Sequence, residues 1–512
     1  VAAGVMTARG VAATTAGTVE GLDVDGVLSF LGIPYGDDVS GTHRFRAPRP
    51  PRPWTGVRPA FDLGPIAPQP VRPGGAARHG GAPMREDCLV LNVWTRSRQG
   101  KRPVLVWLHG GGFFQGSGFS PWTDGTALAA GRDVVVVSVN HRLSMLGFLH
   151  LDELGGAEWG AAPNPGLLDL VAALEWVRDN AAAFGGDPGN VTVFGHSGGG
   201  GKVSALLASP SARGLFHRAG IHGGPPFGLK DSGRATLIAQ EVLHHLGVRK
   251  ADPDVLGSVP LERLMEVQSL LGVGSVPTEH GMRFAPVAGT ASLPAFPEEA
   301  FAAGAVSVPL LTGTALDELR YILLLDPPWA RPGHDLDEAT LTRLVAAGVD
   351  DPGDAPQLLE RYRALGDPGR NADLLLTVLS DQFRIRTKRL AHLATGPVFS
   401  YLCDANQDSP LGAFHGIEMP LFFGNVGRGA HPLTGEGYDR AADVATRALV
   451  SFARTGNPGW PASTPERPVQ FRFGDTGFEA GPETRPERLA VWQGITTSTR
   501  VDPWGRAFGS LA

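Results

Sequence analysis

The stretch Val191-Thr-Val-Phe-Gly-His-Ser-Gly-Gly-Gly-Gly201 decides how this chain is read. Val191–Phe194 is a β-branched and aromatic run, the composition of a buried strand. Gly195-His196-Ser197-Gly198-Gly199 interrupts it, and Lys202–Ser209 then reads as a helix that stops before Pro210. Strand, tight turn and helix, with a serine at the apex, form the context of a nucleophile elbow. Flanking glycines let the backbone bend sharply and let neighbouring elements come close. The hydroxyl then projects at the C-terminal edge of a sheet, beside a helix N-terminus whose partial positive charge favours a developing anion. The chain holds 70 glycines, so about half a Gly-x-Ser-x-Gly match is expected from composition alone. The reading therefore depends on partners elsewhere. The glycine run to Gly201 is expected to leave the start of the helix loose.

Upstream, Val104–Leu108 reads as a strand that runs into His109-Gly-Gly-Gly-Phe113. Three glycines there leave backbone N–H groups unobstructed by Cβ atoms, as an oxyanion-binding loop requires. Downstream, a serine nucleophile needs a base, and the base needs an acid to hold its tautomer. In sheet hydrolases of this kind the order is serine, acid, histidine, each just after a strand. The strand-like Val308–Gly313 precedes Asp317 and Glu318, and the residues alone leave that choice open. Pro397–Asp404 is followed by His415. The alternatives are less well placed: His392 falls within a helix, His334 lies in a Pro/Gly turn and His431 in a distant polar loop.

Further out, Val19–Val24 and Val27–Ile33 read as a hairpin around Asp25-Gly26. Leu89–Thr95 and Val134–Asn140 are further strands. Leu167, Leu170, Val171, Leu174 and Val177 share one face of a helix over Leu167–Phe184. Strands then alternate with helices, at Leu215–Ile221, Ala235–Leu246, Leu261–Leu271, Leu336–Ala347, Pro356–Leu365, Ala372–Leu393 and Ala441–Arg454. This is the pattern of an α/β fold with a large, mostly parallel, twisted sheet covered by helices on both faces. We expect a single domain over residues 1–512, with a helical insertion or cap over the strand ends at about 315–395. Val1–Gly17, rich in Ala, Gly and Thr, reads as a loose tail and not a signal peptide.

Composition bounds the function. Of 512 residues 42% are hydrophobic and 19% charged, with a net charge of −6, so the chain has ample core. There is no basic stripe to suggest nucleic acid as a partner, and the longest clean apolar run, Val134–Val139, is too short to span a membrane. Lys101, Lys202, Lys230, Lys250 and Lys388 are its only lysines. Cys88 and Cys403, far apart, read as free buried thiols. No Cys/His spacing suggests a metal site.

Taken together, these motifs resemble the type-B carboxylesterases of the α/β-hydrolase superfamily, which include cholinesterases and bacterial para-nitrobenzyl esterases. The resemblance runs nearly end to end: Gly32–Tyr35, Arg44-Phe45 with Trp54, Glu86–Val93, His109–Phe113, Asn140–Leu143, Gly166–Asp169, the elbow, Gly214–Arg218, His415–Glu418 and Thr455–Pro458. It implies Ser197 as nucleophile, Glu318 as acid and His415 as base. It implies Gly111, Gly112 and Gly198 as oxyanion donors, and the ion pairs Arg44–Glu86 and Arg142–Asp169. The expected activity is hydrolysis of uncharged, short-to-medium acyl or aryl esters through an acyl-enzyme, with no cofactor or metal. Amide or carbamate hydrolysis on the same triad is the alternative, and a non-catalytic binding protein a remote one. Phe113, Phe114 and His196 are candidate substrate contacts, and the protein is expected to be a monomer or homodimer.

Three departures from the family stand out. Ala67 replaces the cysteine that would pair with Cys88, which points to a reducing cytoplasm. His196 stands where Glu is common, and Gly198 where Ala is common.

Overall fold

Alternation along the strands builds the centre of the molecule. Val104, Val106 and Leu108 belong to one apolar core, while Leu105 and Trp107, between them, belong to a second. Val135, Val137 and Val139 divide from Val134 and Val136 in the same way. Successive side chains of a strand point to opposite faces, so these strands are buried on both. In this computed structural model the described residues are 8–70, 79–155, 159, 163–272, 282–325, 327–331, 333–366, 369–429 and 431–498.

The strands are β1 (Ala8–Ala13), β2 (Thr18–Val24), β3 (Val27–Pro34), β4 (Val57–Pro59), β5 (Val90–Thr95), β6 (Arg102–Leu108), β7 (Val135–Val139), β8 (Gly186–His196), β9 (Arg218–His222), β10 (Lys230–Asp231), β11 (Val287–Ala288), β12 (Leu310–Ala315), β13 (Val398–Asp404), β14 (Gln470–Gly474) and β15 (Gly477–Gly481). The large sheet runs β1-β2-β3-β5-β7-β6-β8-β9-β12-β13-β14-β15, with β4 on β2. From β7 to β14 every neighbouring pair is parallel, and the flanks are antiparallel apart from β4, which runs parallel to β2. The fold is that of an α/β-hydrolase. The chain steps from β6 to β7 on one side, then crosses to β8 on the other. Sites in open parallel sheets form where the order reverses in this way, beyond the strands' C-terminal ends.

Helices Pro165–Asn180, Gly198–Ala208, Ser232–Leu246 and Asn371–His392 cover one face, and Thr126–Arg132 and Glu436–Thr455 the other. Arg44 pairs with Glu86 through two hydrogen bonds of 2.6 and 2.7 Å, and buried Arg142 meets Asp169 at 2.6 and 2.9 Å. Cys88 and Cys403 are free and buried.

Helix Asn371–His392 is lashed to the last described segment. Asp381 accepts from Tyr362 and Arg488, and the Trp492 indole donates to Tyr362. Arg386 and Gln382 both donate to the Thr497 hydroxyl, and Arg389 to the Ile495 carbonyl.

Two expectations need correction. Ala8–Ala13 is not a loose tail: it pairs in register with β2, from Ala8 opposite Asp23 to Ala13 opposite Thr18. Residues 1–7 lie outside the described set, as do 71–73 of Gly64–Pro73, a Pro-rich stretch expected from sequence to be an extended connection. The helix after the elbow starts at Gly198, not after Gly201, and all four glycines are buried in its first turn. A Cβ at Gly199 would lie 2.1 Å from the Leu108 carbonyl, and one at Gly200 2.6 Å from that of Gly224. Tight backbone packing on both sides thus outweighs the low helix propensity of glycine.

Candidate active site

Ser197 follows β8, with φ 58° and ψ −126°. Few non-glycine residues adopt this conformation, which costs about 1–3 kcal/mol. Two contacts hold it. Its N–H donates to the His222 carbonyl at 2.9 Å, and its carbonyl accepts from Gly201 at 3.1 Å. Two flanking loops close on it without side chains. A Cβ at Gly224, after β9, would lie 2.1 Å from the Ser197 carbonyl. A Cβ at Gly110, after β6, would lie 3.2 Å from that of Ser197.

The loop after β6 is shaped by Gly111 at φ +87° and Gly112 at φ +61°. It meets the elbow backbone to backbone: a Cβ on Gly198 would stand 2.1 Å from the Gly112 carbonyl. Among the described residues no protein acceptor takes the N–H of Gly111, Gly112 or Gly198. Gln69 braces the far end of this loop, accepting from Gly116 N–H at 2.7 Å and donating to its carbonyl at 3.0 Å.

Glu318 and His415 come from the ends of the adjacent strands β12 and β13, whose loops are joined by backbone hydrogen bonds. Asp317 N–H donates to Ala413 and His415 N–H to Glu318. The fully buried Glu318 carboxylate accepts from the Ala315 N–H at 2.8 Å through one oxygen. Its other oxygen is hydrogen-bonded to His415 Nδ1. Asp317 does different work, accepting from Ala413 N–H at 3.1 Å and from Gln407 at 3.0 Å. His431 packs edge-on against Trp122, 4.6 Å between centroids.

The ring of His196 lies beside that of His415, 4.4 Å between centroids. Behind it lies a buried polar group that sequence reading missed. The Tyr401 hydroxyl is 2.8 Å from His222 Nδ1 and 3.4 Å from Glu418 Oε1, and His196 Nε2 is 3.9 Å from that same oxygen. That last pair is not an ion pair at neutral pH. Burial, then His415, holds His196 well below the usual imidazole range. Burial, then the charge of Glu318, pushes Glu418 up to about 8. Burial lowers His222 to about 3. Gly223, at φ +47°, is where these elements converge: a Cβ there would stand 2.9 Å from His196 Nε2 and 3.0 Å from Glu318 Oε1. The available signal was His222-Gly-Gly224, a second strand ending in paired glycines.

The aromatic candidates divide. Phe113 is 1% exposed and packs edge-on against Phe148 beneath the loop, so it belongs to the core. Phe114 lies over Gly112 and is 6% exposed. Two rings not singled out from the sequence approach His415: Tyr321 at 5.6 Å and Phe383, on helix Asn371–His392, at 5.7 Å.

The carboxylesterase family's sequence profile matches residues 8–492. Phenmedipham hydrolase of Pseudarthrobacter oxydans is 36% identical over 515 residues, spanning 95% of this chain and 99% of the relative. Para-nitrobenzyl esterase of Bacillus subtilis is 35% identical over 471 residues, spanning 88% and 91%. Among solved structures, a Geobacillus stearothermophilus carboxylesterase superposes with a TM-score of 0.83 at 35% identity, covering 94% of this chain and 100% of that one.

Proposed function

We propose, from the premise that this chain belongs to the carboxylesterase family and is a carboxylic ester hydrolase, that Ser197, His415 and Glu318 are its catalytic triad. The observation that carries the reading is the bond from His415 Nδ1 to a fully buried carboxylate, at strand ends facing the elbow. The bond fixes the imidazole tautomer, leaving Nε2 to act as the base. His415 takes the Ser197 proton as the hydroxyl oxygen attacks the ester carbonyl. The N–H groups of Gly111, Gly112 and Gly198, which have no protein acceptor among the described residues, receive the oxyanion, each such donor contributing about 10²–10³ in rate. Collapse expels the alcohol, protonated by His415, and leaves an acyl-Ser197. Water, deprotonated by His415, attacks the acyl carbonyl and releases the acid and the free serine.

The substrates we propose are uncharged esters with short-to-medium acyl or aryl groups. Phe114, Tyr321 and Phe383 supply apolar walls, and His196 a neutral polar contact. Phe383 comes from the helical stretch within 315–395, which we assign as a cap on a single hydrolase domain. Carbamates are the second reading. It is favoured by the 36% identity to a phenmedipham hydrolase, phenmedipham being a carbamate. Among the described residues no helix is long and apolar enough to cross a membrane. Labelling with a fluorophosphonate, followed by peptide mapping, tests the nucleophile. The label is expected on Ser197 and absent from Ser197→Ala, which also loses turnover of a para-nitrophenyl ester. A label on any other serine overturns the assignment.

A further inference from the structure

Lys202 lies on the elbow helix one turn beyond Gly198 and is 1% exposed. Its ammonium donates to the His109 carbonyl at 2.9 Å. Burial lowers its pKa to about 7, with no carboxylate among the described residues offsetting it. The groups that feel its charge are His109, at the end of β6, and His141, after β7. Both are held well below the usual imidazole range, by burial first and by Lys202 next. A buried ammonium without a counter-charge destabilises a fold, and an apolar side chain of similar length would avoid that penalty. A position bearing such a destabilising group calls for a role that offsets it.

The place supplies one. His109 carries the chain from β6 into Gly110–Gly112. The first turn of the elbow helix already touches this root: a Cβ at Gly199 would lie 2.1 Å from the Leu108 carbonyl and 3.0 Å from that of His109. Lys202 adds a hydrogen bond from the same helix to the same root. We propose that Lys202 is a positioning residue for the oxyanion loop. It holds the donors of Gly111 and Gly112 in register with Gly198 through its hydrogen bond to the His109 carbonyl. The proposal rests on the assignment of Ser197 as nucleophile.

The test is Lys202→Met, with Lys202→Gln as a second variant. Both are read by thermal melting, by steady-state kinetics on a para-nitrophenyl ester, and by inhibition with an alkyl trifluoromethyl ketone, which forms a serine hemiketal whose oxyanion occupies the hole. Removing the buried amine should leave the melting temperature of Lys202→Met at or above that of the parent. Its kcat should fall roughly ten- to a hundredfold with KM within about threefold, the pattern of an interaction made only in the transition state. The ketone's Ki should rise by the same factor as kcat/KM falls. Turnover within twofold of the parent, or a kcat loss with unchanged Ki, overturns the proposal. Fluorophosphonate mapping of the parent separates the two readings. No label on Ser197 sinks the triad, whereas a labelled Ser197 beside a fully active Lys202→Met sinks only the role of Lys202.

Discussion

The rings of His196 and His415 lie 4.4 Å apart, and His196 is held neutral by its burial. The residue before the nucleophile therefore places no negative charge beside the base. Replacing it by glutamate restores one. A carboxylate favours the protonated imidazole and raises its pKa. The base works only when neutral, so the acidic limb of kcat/KM in His196→Glu should move to higher pH, by roughly one unit. A pH–rate profile that superimposes on that of the parent would contradict this.

Glu318 and Asp317 are neighbours with separate tasks, and isosteric amides distinguish them. Glu318→Gln loses the carboxylate that orients His415 and stabilises its positive form. Its kcat should fall roughly 10³- to 10⁴-fold with little change in melting temperature. Asp317→Asn weakens hydrogen bonds to Ala413 and Gln407. It should lower stability by about 1 kcal/mol and leave kcat within about tenfold. Steady-state kinetics beside urea unfolding reads both, and equal kinetic losses would refute the division.

Gly198→Ala restores the residue common in the family, and should nevertheless be damaging. The added Cβ would lie 2.1 Å from the Gly112 carbonyl, a backbone atom that cannot swing aside. The oxyanion loop must shift, with an expected kcat loss of about 10²–10³. A variant as active as the parent would mean that the loop yields freely.

Glu418→Gln tests the buried group behind the triad. Its folded pKa of about 8 lies above the ordinary 4.5. Between these values the folded protein binds more protons than the unfolded chain, so stability declines as pH rises from about 5 to 8. Glutamine does not titrate. The melting temperature of Glu418→Gln should therefore fall less across that window, and match the parent most closely at its acidic end. Parallel slopes in a pH series would show that Glu418 is not the group responsible.

The parts of the fold that announce themselves by side-chain pattern were legible in the sequence. The β2–β3 hairpin, the strands leading to Gly110 and Ser197, and the long helices appear within a few residues of their expected limits. What escaped was specified by backbone. β1 carries no apolar alternation and is held by its ladder to β2. The hairpin β14–β15 is half-exposed, so its composition carries little signal. The polyglycine turn was expected to be loose because propensity is local, whereas its order comes from carbonyls of Leu108 and Gly224, far off in sequence. In the candidate site, strand-then-loop spacing pointed to Ser197, to His415 and to the pair Asp317 and Glu318. Asp317 and Glu318 could not be separated without the resemblance, since one residue of register decides which carboxylate turns inward. His222 and Gly223 carried only the weak signal of a strand ending in paired glycines, and Tyr401 and Lys202 were silent because their roles depend on burial, which appears only once the sheet is assembled.

The lashing of helix Asn371–His392 to residues 488–497 bears on when, during synthesis, the enzyme comes alive. The elbow is made long before residues 488–497, and chains fold from the N-terminus as they emerge. Phe383, which abuts His415, sits on a helix anchored through Arg488, Trp492, Ile495 and Thr497. A nascent chain can thus complete its sheet and still lack a secured wall against its base until the last of these residues is added. Chains ending at residue 485 should remain unreactive toward a fluorophosphonate, whereas chains extending past Thr497 should be labelled.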